Sequence, residues 1–166
     1  MNYFWLDASA LVKRYVIETG TPVVNYFFAR VPLQQMLCFL ESVGEVISIF
    51  VRRRNGGAIT GSGFNQAMLE FRFEMSFCVE VEKVYPTESQ IAASWELIVT
   101  HSINSTDAII LRCALDSAIE LRGAGDDLIL VATDIRLLRA AQAEGLRTFN
   151  PETGSQTALD AYLHSS

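Results

Sequence analysis

The stretch Tyr3-Phe4-Trp5-Leu6-Asp7 constrains the fold more than any other part of the chain. Four apolar residues run without a polar break into an aspartate. An apolar, helix-compatible segment (Ala10, Leu11, Val12, then Tyr15 and Val16) follows Ser9. An unbroken apolar run this short reads as a strand buried on both faces, as in the parallel sheet of an α/β domain. Asp7 then falls at the carboxyl end of the first strand, where open α/β sheets place their ligands. The plainer reading is a strand-to-helix turn in which Asp7 or Ser9 only caps the helix.

With 166 residues the chain fits one domain, 1–166, able to bury a sizeable core. Half of it is apolar and 19% charged, which is globular composition. A net charge of −6 does not advertise a nucleic-acid partner, although a local basic patch or a bound cation can reverse the field where it matters. Cys38, Cys78 and Cys113 are widely spaced in apolar surroundings. They read as buried free thiols of a reducing compartment, with no disulfide frame and no CxxC metal site. The start lacks a basic leader and a small-residue cleavage site, and no apolar run approaches the ~18 residues of a membrane span. A soluble cytoplasmic protein is the expectation.

Strand and helix signals then alternate. Thr21-Pro22 opens a helix to Arg30, Thr21 as its cap, and Met36 to Leu40 reads as a strand. Ser42 with Glu45 three residues on has capping-box spacing for a helix running to Arg54. Residues 63–75 carry Phe64, Met68, Phe71 and Met75 as a helical stripe, read as core or partner-helix surface. Phe77, Val79, Val81 and Val84 or Tyr85 nearly alternate with polar residues, as a half-exposed strand does. Pro86-Thr87-Glu88 opens another helix, with His101 in the loop beyond it and His164 in the tail. Thr106-Asp107 opens a long helix to Arg122, and residues 127–133 form a buried strand with Asp134 just past its end. A helix, a short strand from Arg147 to Phe149 and a weak last helix complete the chain. This order predicts a mostly parallel sheet covered by helices on both faces.

In such a sheet Asp7 and Asp134 emerge at the same edge. Glu45 and Asp107, each in a first helical turn, can face that edge too, Asp107 less firmly because its helix follows another helix. Each acid also has a local explanation: a cap, a capping-box partner, or a first-turn acid favoured by the helix dipole. Together they pose an electrostatic problem, since two unit charges at ~5 Å and an effective dielectric of ~20 repel by about 3 kcal/mol. Protonation or a cation relieves it. Oxygen donors without Cys or His select Mg²⁺ or Mn²⁺. Such an ion suits phosphodiester hydrolysis, because it acidifies the attacking water and neutralises transition-state charge.

Four short motifs in order carry a family resemblance: Leu6-Asp7-Ala8-Ser9-Ala10-Leu11-Val12-Lys13, Glu45-Val46, Asp107-Ala108-Ile109, and Ala132-Thr133-Asp134-Ile135-Arg136-Leu137-Leu138. Gly145-Leu146 and Phe149-Asn150-Pro151 match the usual ending. Over essentially its whole length the chain resembles a PIN domain, and within that group the VapC-type toxin ribonucleases of toxin–antitoxin pairs. The resemblance implies a three-layer α/β/α sandwich and a single-strand-specific endoribonuclease. It further implies Mg²⁺ or Mn²⁺ held by Asp7, Glu45, Asp107 and Asp134, an RNA substrate, a homodimer and a cognate antitoxin. Ser9 matches the hydroxyl residue that supports the first aspartate.

The sequence also departs from the family pattern. A hydroxyl residue often stands two places before the last aspartate; here that place is Ala132, and Thr133 stands beside Asp134 instead. Glu41 offers a competing carboxylate to Glu45, and Asp116 is an outside candidate. Asp126 and Asp127 begin a strand, at the other edge, and read as solvated. Lys13, Arg14, the arginines at 52–54, and Arg112, Arg136 and Arg139 are the candidates for phosphate contact. An alternative reading is a PIN fold without catalysis that binds a partner protein, with Tyr26-Phe27-Phe28 and residues 64–77 as core or as an apolar groove. A haloacid-dehalogenase-like phosphatase needs an aspartate two residues after the nucleophile, where this chain has Ser9.

Overall fold

The apolar run at the amino terminus becomes the middle strand of a five-stranded sheet in this computed structural model, which describes residues 1–163. His164 lies outside the described residues. In chain order the elements are β1 (Asn2–Leu6), α1 (Ala8–Tyr15), α2 (Thr21–Arg30), β2 (Met36–Phe39), α3 (Leu40–Asn55) and α4 (Gly61–Phe71). There follow β3 (Glu82–Val84), α5 (Glu88–His101), α6 (Ser105–Gly123), β4 (Asp127–Val131), α7 (Ile135–Ala143), β5 (Arg147–Phe149) and α8 (Gln156–Leu163). The strand order is β3-β2-β1-β4-β5 and every pairing is parallel. β1 has the longest ladder, with Asn2 to Leu6 matched to Asp127 to Val131.

Alternation along β1 builds two cores. Phe4 and Leu6 pack on one face with Leu11, Phe27, Phe50, Phe71 and Leu159, which belong to α1–α4 and α8. Trp5 packs on the other with Leu97, Leu111, Ala114 and Leu137, from α5–α7. The result is a three-layer α/β/α sandwich. From β1 the chain moves outward through β2 and β3, then crosses to β4 and β5 on the other side. Between β1 and β4 the order therefore reverses, and a crevice opens beyond their carboxyl ends.

Several local expectations are corrected. Thr21 is the first helical residue of α2, and Gly20, at φ +91°, is the cap. The Thr21 hydroxyl accepts from Glu18 N–H and donates to the Val16 carbonyl instead. A side chain at position 20 would press on the Pro151 carbonyl at 3.0 Å. Ser42 caps nothing: β2 runs straight into α3 at Leu40, so Ser42 already lies inside the helix, fully buried, its hydroxyl without a hydrogen-bond partner. The stripe after residue 63 divides into α4 and a π-helical turn at Arg72–Ser76. Of the alternating run beyond it only Glu82–Val84 pairs, because β2 offers just Leu37 to Phe39 as partners. Phe77 and Val79 are 75% and 95% exposed. His101 ends α5, its ring 2.7 Å from Glu144, and Cys78 is only half-buried while Cys38 and Cys113 are buried. Among the described residues no helix is long and apolar enough to cross a membrane.

Candidate active site

Asp7 ends β1 and caps α1. Its backbone N–H donates to the Val131 carbonyl at 3.0 Å, so β1 and β4 are still joined where both acids leave the sheet. The carboxylate is 6% exposed; its Oδ2 accepts from Ser9 N–H at 2.9 Å and Ser9 Oγ at 2.5 Å. Ser9 Oγ in turn accepts from the Thr133 backbone N–H at 2.9 Å. Thr133 thus serves through its main chain, and its hydroxyl takes no part in this bond. That bridge also answers the departure at Ala132, whose side chain is fully buried: the tie between Asp7 and the loop before Asp134 runs through Ser9.

Asp134 caps α7. Its Oδ1 accepts from Arg136 N–H at 2.8 Å and Leu137 N–H at 3.4 Å. Asp107 reaches the same edge because α5 and α6 form an antiparallel hairpin that returns the chain there before α6 descends to β4. Asn104 fixes it twice: Asn104 Oδ1 accepts from Asp107 N–H at 2.9 Å, and its amide donates to Asp107 Oδ2 at 2.7 Å. Asn104 is an addition to the sequence-derived site residues, and its signal was present: Asn followed three residues later by Asp at a helix start is a cap pattern. Glu45 lies in the second turn of α3 rather than the first, half-buried, while Glu41 in the first turn is exposed.

Asp7, Glu45 and Asp107 respond to burial and to neighbouring acids. Burial pushes the Asp7 carboxyl above its ordinary range against the hydrogen bonds from Ser9 and Ala8, and the Asp134 charge adds to the rise. Burial, then Asp134 and Asp7, push Asp107 up to about 6, with Arg136 opposing. For Glu45 burial again leads, followed by Asp7, Asp107 and Glu41, with Arg52 opposing. Mutual repulsion of this kind is what a site short of counter-charge shows. Among the described residues, no group of three or more His, Cys, Asp or Glu is arranged to hold a metal ion. The fit to a divalent cation is therefore one of donor chemistry and uncompensated charge.

Clefts flank the acids. One of about 760 Å³ passes Ser9 and Thr133 and is lined by Lys13, Arg52 and Arg53. Another, of about 540 Å³, lies beyond Glu45 and Thr106. Lys13 is 3% exposed, its Nζ bonded to Glu18 at 2.8 Å and Glu152 at 2.6 Å, so it staples two turns together. Arg14 is engaged by Glu74 and Asn25, which removes it from the phosphate candidates. Asp116 is engaged by Arg112 and Gln90. Asp126 and Asp127 are ion-paired rather than merely solvated, to the amino terminus and to Arg122 and Arg147.

No protein-family model matches the chain, and no curated protein matches it significantly. Solved structures do. FitAcB from Neisseria gonorrhoeae superposes with a TM-score of 0.60 at 18% identity, covering 91% of this chain and 99% of that one. FitAB bound to an IR36 DNA fragment gives a TM-score of 0.57, also at 18% identity, covering 92% of this chain and 97% of its own. With its parallel sheet, its two helical layers and these neighbours, the chain has the PIN-like α/β fold.

Proposed function

We propose that this protein is a metal-dependent, single-strand-specific endoribonuclease, the toxin of a VapC-type toxin–antitoxin pair. The observation that supports the reading is the raised carboxyls of Asp7, Glu45 and Asp107, with burial as the leading cause and neighbouring acids, Asp134 among them for Asp7 and Asp107, adding to the rise. Those four would hold Mg²⁺ or Mn²⁺, whose contribution is to acidify the attacking water and offset charge on the phosphoryl oxygens. Ser9 orients Asp7, and Asn104 orients Asp107. Asp134 spends Oδ1 on α7, which leaves Oδ2 for the site. Its partners in this reading are RNA, a cognate antitoxin and a second copy of the chain.

One observation favours a second reading, a binding protein without catalysis. Phe73, Phe77 and Val79 are exposed apolar side chains in one short stretch, suited to a partner helix. The same surface serves an antitoxin under the first reading, so metal dependence is the discriminating property.

Thermal melting of the wild type and Asp7→Asn, each with and without Mn²⁺, tests it. Metal binding to the native state alone raises stability by about 2.7 kcal/mol at a hundredfold excess over Kd. The wild type should gain this. Asp7→Asn should melt higher than the wild type without metal and gain nothing from Mn²⁺. Ribonuclease assays on both proteins follow. A wild type that Mn²⁺ neither stabilises nor activates on RNA leaves the binding protein as the reading.

A further inference from the structure

Most of the chain's thirteen Lys and Arg side chains are already occupied. Lys13 and Arg53 are held by Glu18, Lys13 also by Glu152, and Arg14 by Glu74. Arg30, Arg54 and Arg147 lie over the rings of Tyr26, Phe64 and Tyr162. Lys83 donates to the Cys78 carbonyl, Arg112 pairs with Asp116, and Arg122 with Asp127. Among the described residues Arg52, Arg72, Arg136 and Arg139 have no hydrogen bond or ion pair assigned to their guanidinium groups. All four are exposed.

Two of these four flank the acids. Arg52 follows Glu45 by seven residues on α3, two turns along the same helical face and roughly 10 Å away by helical rise. It lines the 760 Å³ cleft that passes Ser9 and Thr133. Arg136 is the second residue of α7, directly beyond Asp134, whose carboxylate its own backbone N–H meets. Its charge acts on Asp107 as that of Arg52 acts on Glu45. α3 belongs to one helical layer and α7 to the other, so the free cations approach the acid cluster from the two sides of the sheet.

We infer that Arg52 and Arg136 are positioning residues that grip the phosphates on either side of the scissile one in a single-stranded RNA. The inference rests on the ribonuclease reading and deepens it. An RNA backbone is repelled by a protein of net charge −6 unless cations stand where it lies, and a cation already bound to a carboxylate has little left to offer. Lys13 and Arg53 line the same cleft but are spoken for by Glu18 and Glu152. Arg52 is the cleft's free charge. With Arg136 it sets a path from the cleft, past Ser9 and Thr133 and over the acids, to the start of α7.

Fluorescence anisotropy of a labelled short single-stranded RNA of mixed sequence tests this, in Ca²⁺ and across about 50 to 200 mM salt. The proteins are wild type, Arg52→Ala, Arg136→Ala, Arg52→Lys and, as control, Arg72→Ala. Each alanine variant at 52 or 136 should bind roughly tenfold more weakly, the loss of one charge-assisted hydrogen bond. Each should also flatten the slope of log K against log salt by about 0.7, one phosphate contact on a single strand. Arg52→Lys should keep the wild-type slope, and Arg72→Ala should match wild type in both measures. Unchanged slopes in both alanine variants overturn the inference, as does an equal loss in Arg72→Ala. If the wild type cuts RNA while these slopes are unchanged, only the inference falls. If the wild type neither binds nor cuts RNA, the ribonuclease reading falls with it.

Discussion

The two edges of the sheet carry side-chain carboxylates in contrasting electrostatic settings. At the carboxyl edge, burial and neighbouring acids raise Asp7, Glu45 and Asp107. At the amino edge, Asp126 meets the chain's own amino terminus, and Asp127 meets Arg122 and Arg147. There, against the burial that would raise it, the bonds from Arg122 and Leu128 and the two arginine charges hold the Asp127 carboxyl below its ordinary range. An acid cluster that supplies its own cations is complete as folded. At the carboxyl edge the only opposing cations are Arg52, acting on Glu45, and Arg136, acting on Asp107, among the described residues. The proposed function rests on that missing counter-charge more than on the acids themselves.

Removing charge at each edge should expose the contrast most strongly. Asp7→Asn should lower Mn²⁺-dependent RNA cleavage at least about 100-fold, beyond what loss of an outer support costs. Its metal-free melting temperature should rise, because a buried and repelled charge is gone. Cleavage rate and melting on the same preparation decide this, and a mutant that melts lower would mean Asp7 is a plain structural cap.

Next in size is Ser9→Ala, which removes the link from Asp7 to the Thr133 N–H. Activity should fall about 10- to 100-fold, with a stability loss of about 1–2 kcal/mol from an unmet buried amide. Ser9→Thr, which keeps the hydroxyl, should recover most of the activity.

The edges should also answer pH in opposite senses. Burial and the charges of Asp134 and Asp7 push the Asp107 carboxyl up to about 6 in the fold, from an ordinary 3.8. The native state therefore holds the proton more tightly, and metal-free stability falls as pH rises from about 4 to 6. Asp107→Asn should flatten that fall in a melting series. Asp127 is lowered from 3.8, so its contribution is present above that value and is lost as pH drops through its folded pKa. The smallest expected effect is Asp127→Asn at neutral pH, no more than about 1 kcal/mol for a partly exposed pair and no change in cleavage. A large loss of activity there would undo the comparison.

Much of this was visible in the chain alone. The unbroken run Tyr3 to Leu6 could be buried only in a sheet covered on both faces. The second such run, before Asp134, placed another acid at the same edge. Parallel strands follow from the alternation with helices, and parallel strands end together; these are short-range statements that hydrophobic pattern carries well. Where local pattern misled, longer-range packing had decided the matter. Ser42 has capping-box spacing, but β2 enters α3 without a turn, so Ser42 is core and Glu45 stands a turn deeper. Phe77 and Val79 alternate as a strand does, but the sheet had no partner left for them.

Other features belong to tertiary structure outright. Asp107 joins the site only because α5 and α6 fold into a hairpin. Thr133 contributes a main-chain N–H, a group every residue but proline has and no sequence marks. Lys13 and Arg14 follow Asp7 closely enough in sequence to be candidate phosphate ligands, yet partners far along the chain, Glu152 and Glu74, have claimed them. Sequence determined which charges exist and which lie at strand ends, because burial and period act over a few residues. Which charges remain free was decided by the fold, because pairing depends on groups that meet only when the chain has closed.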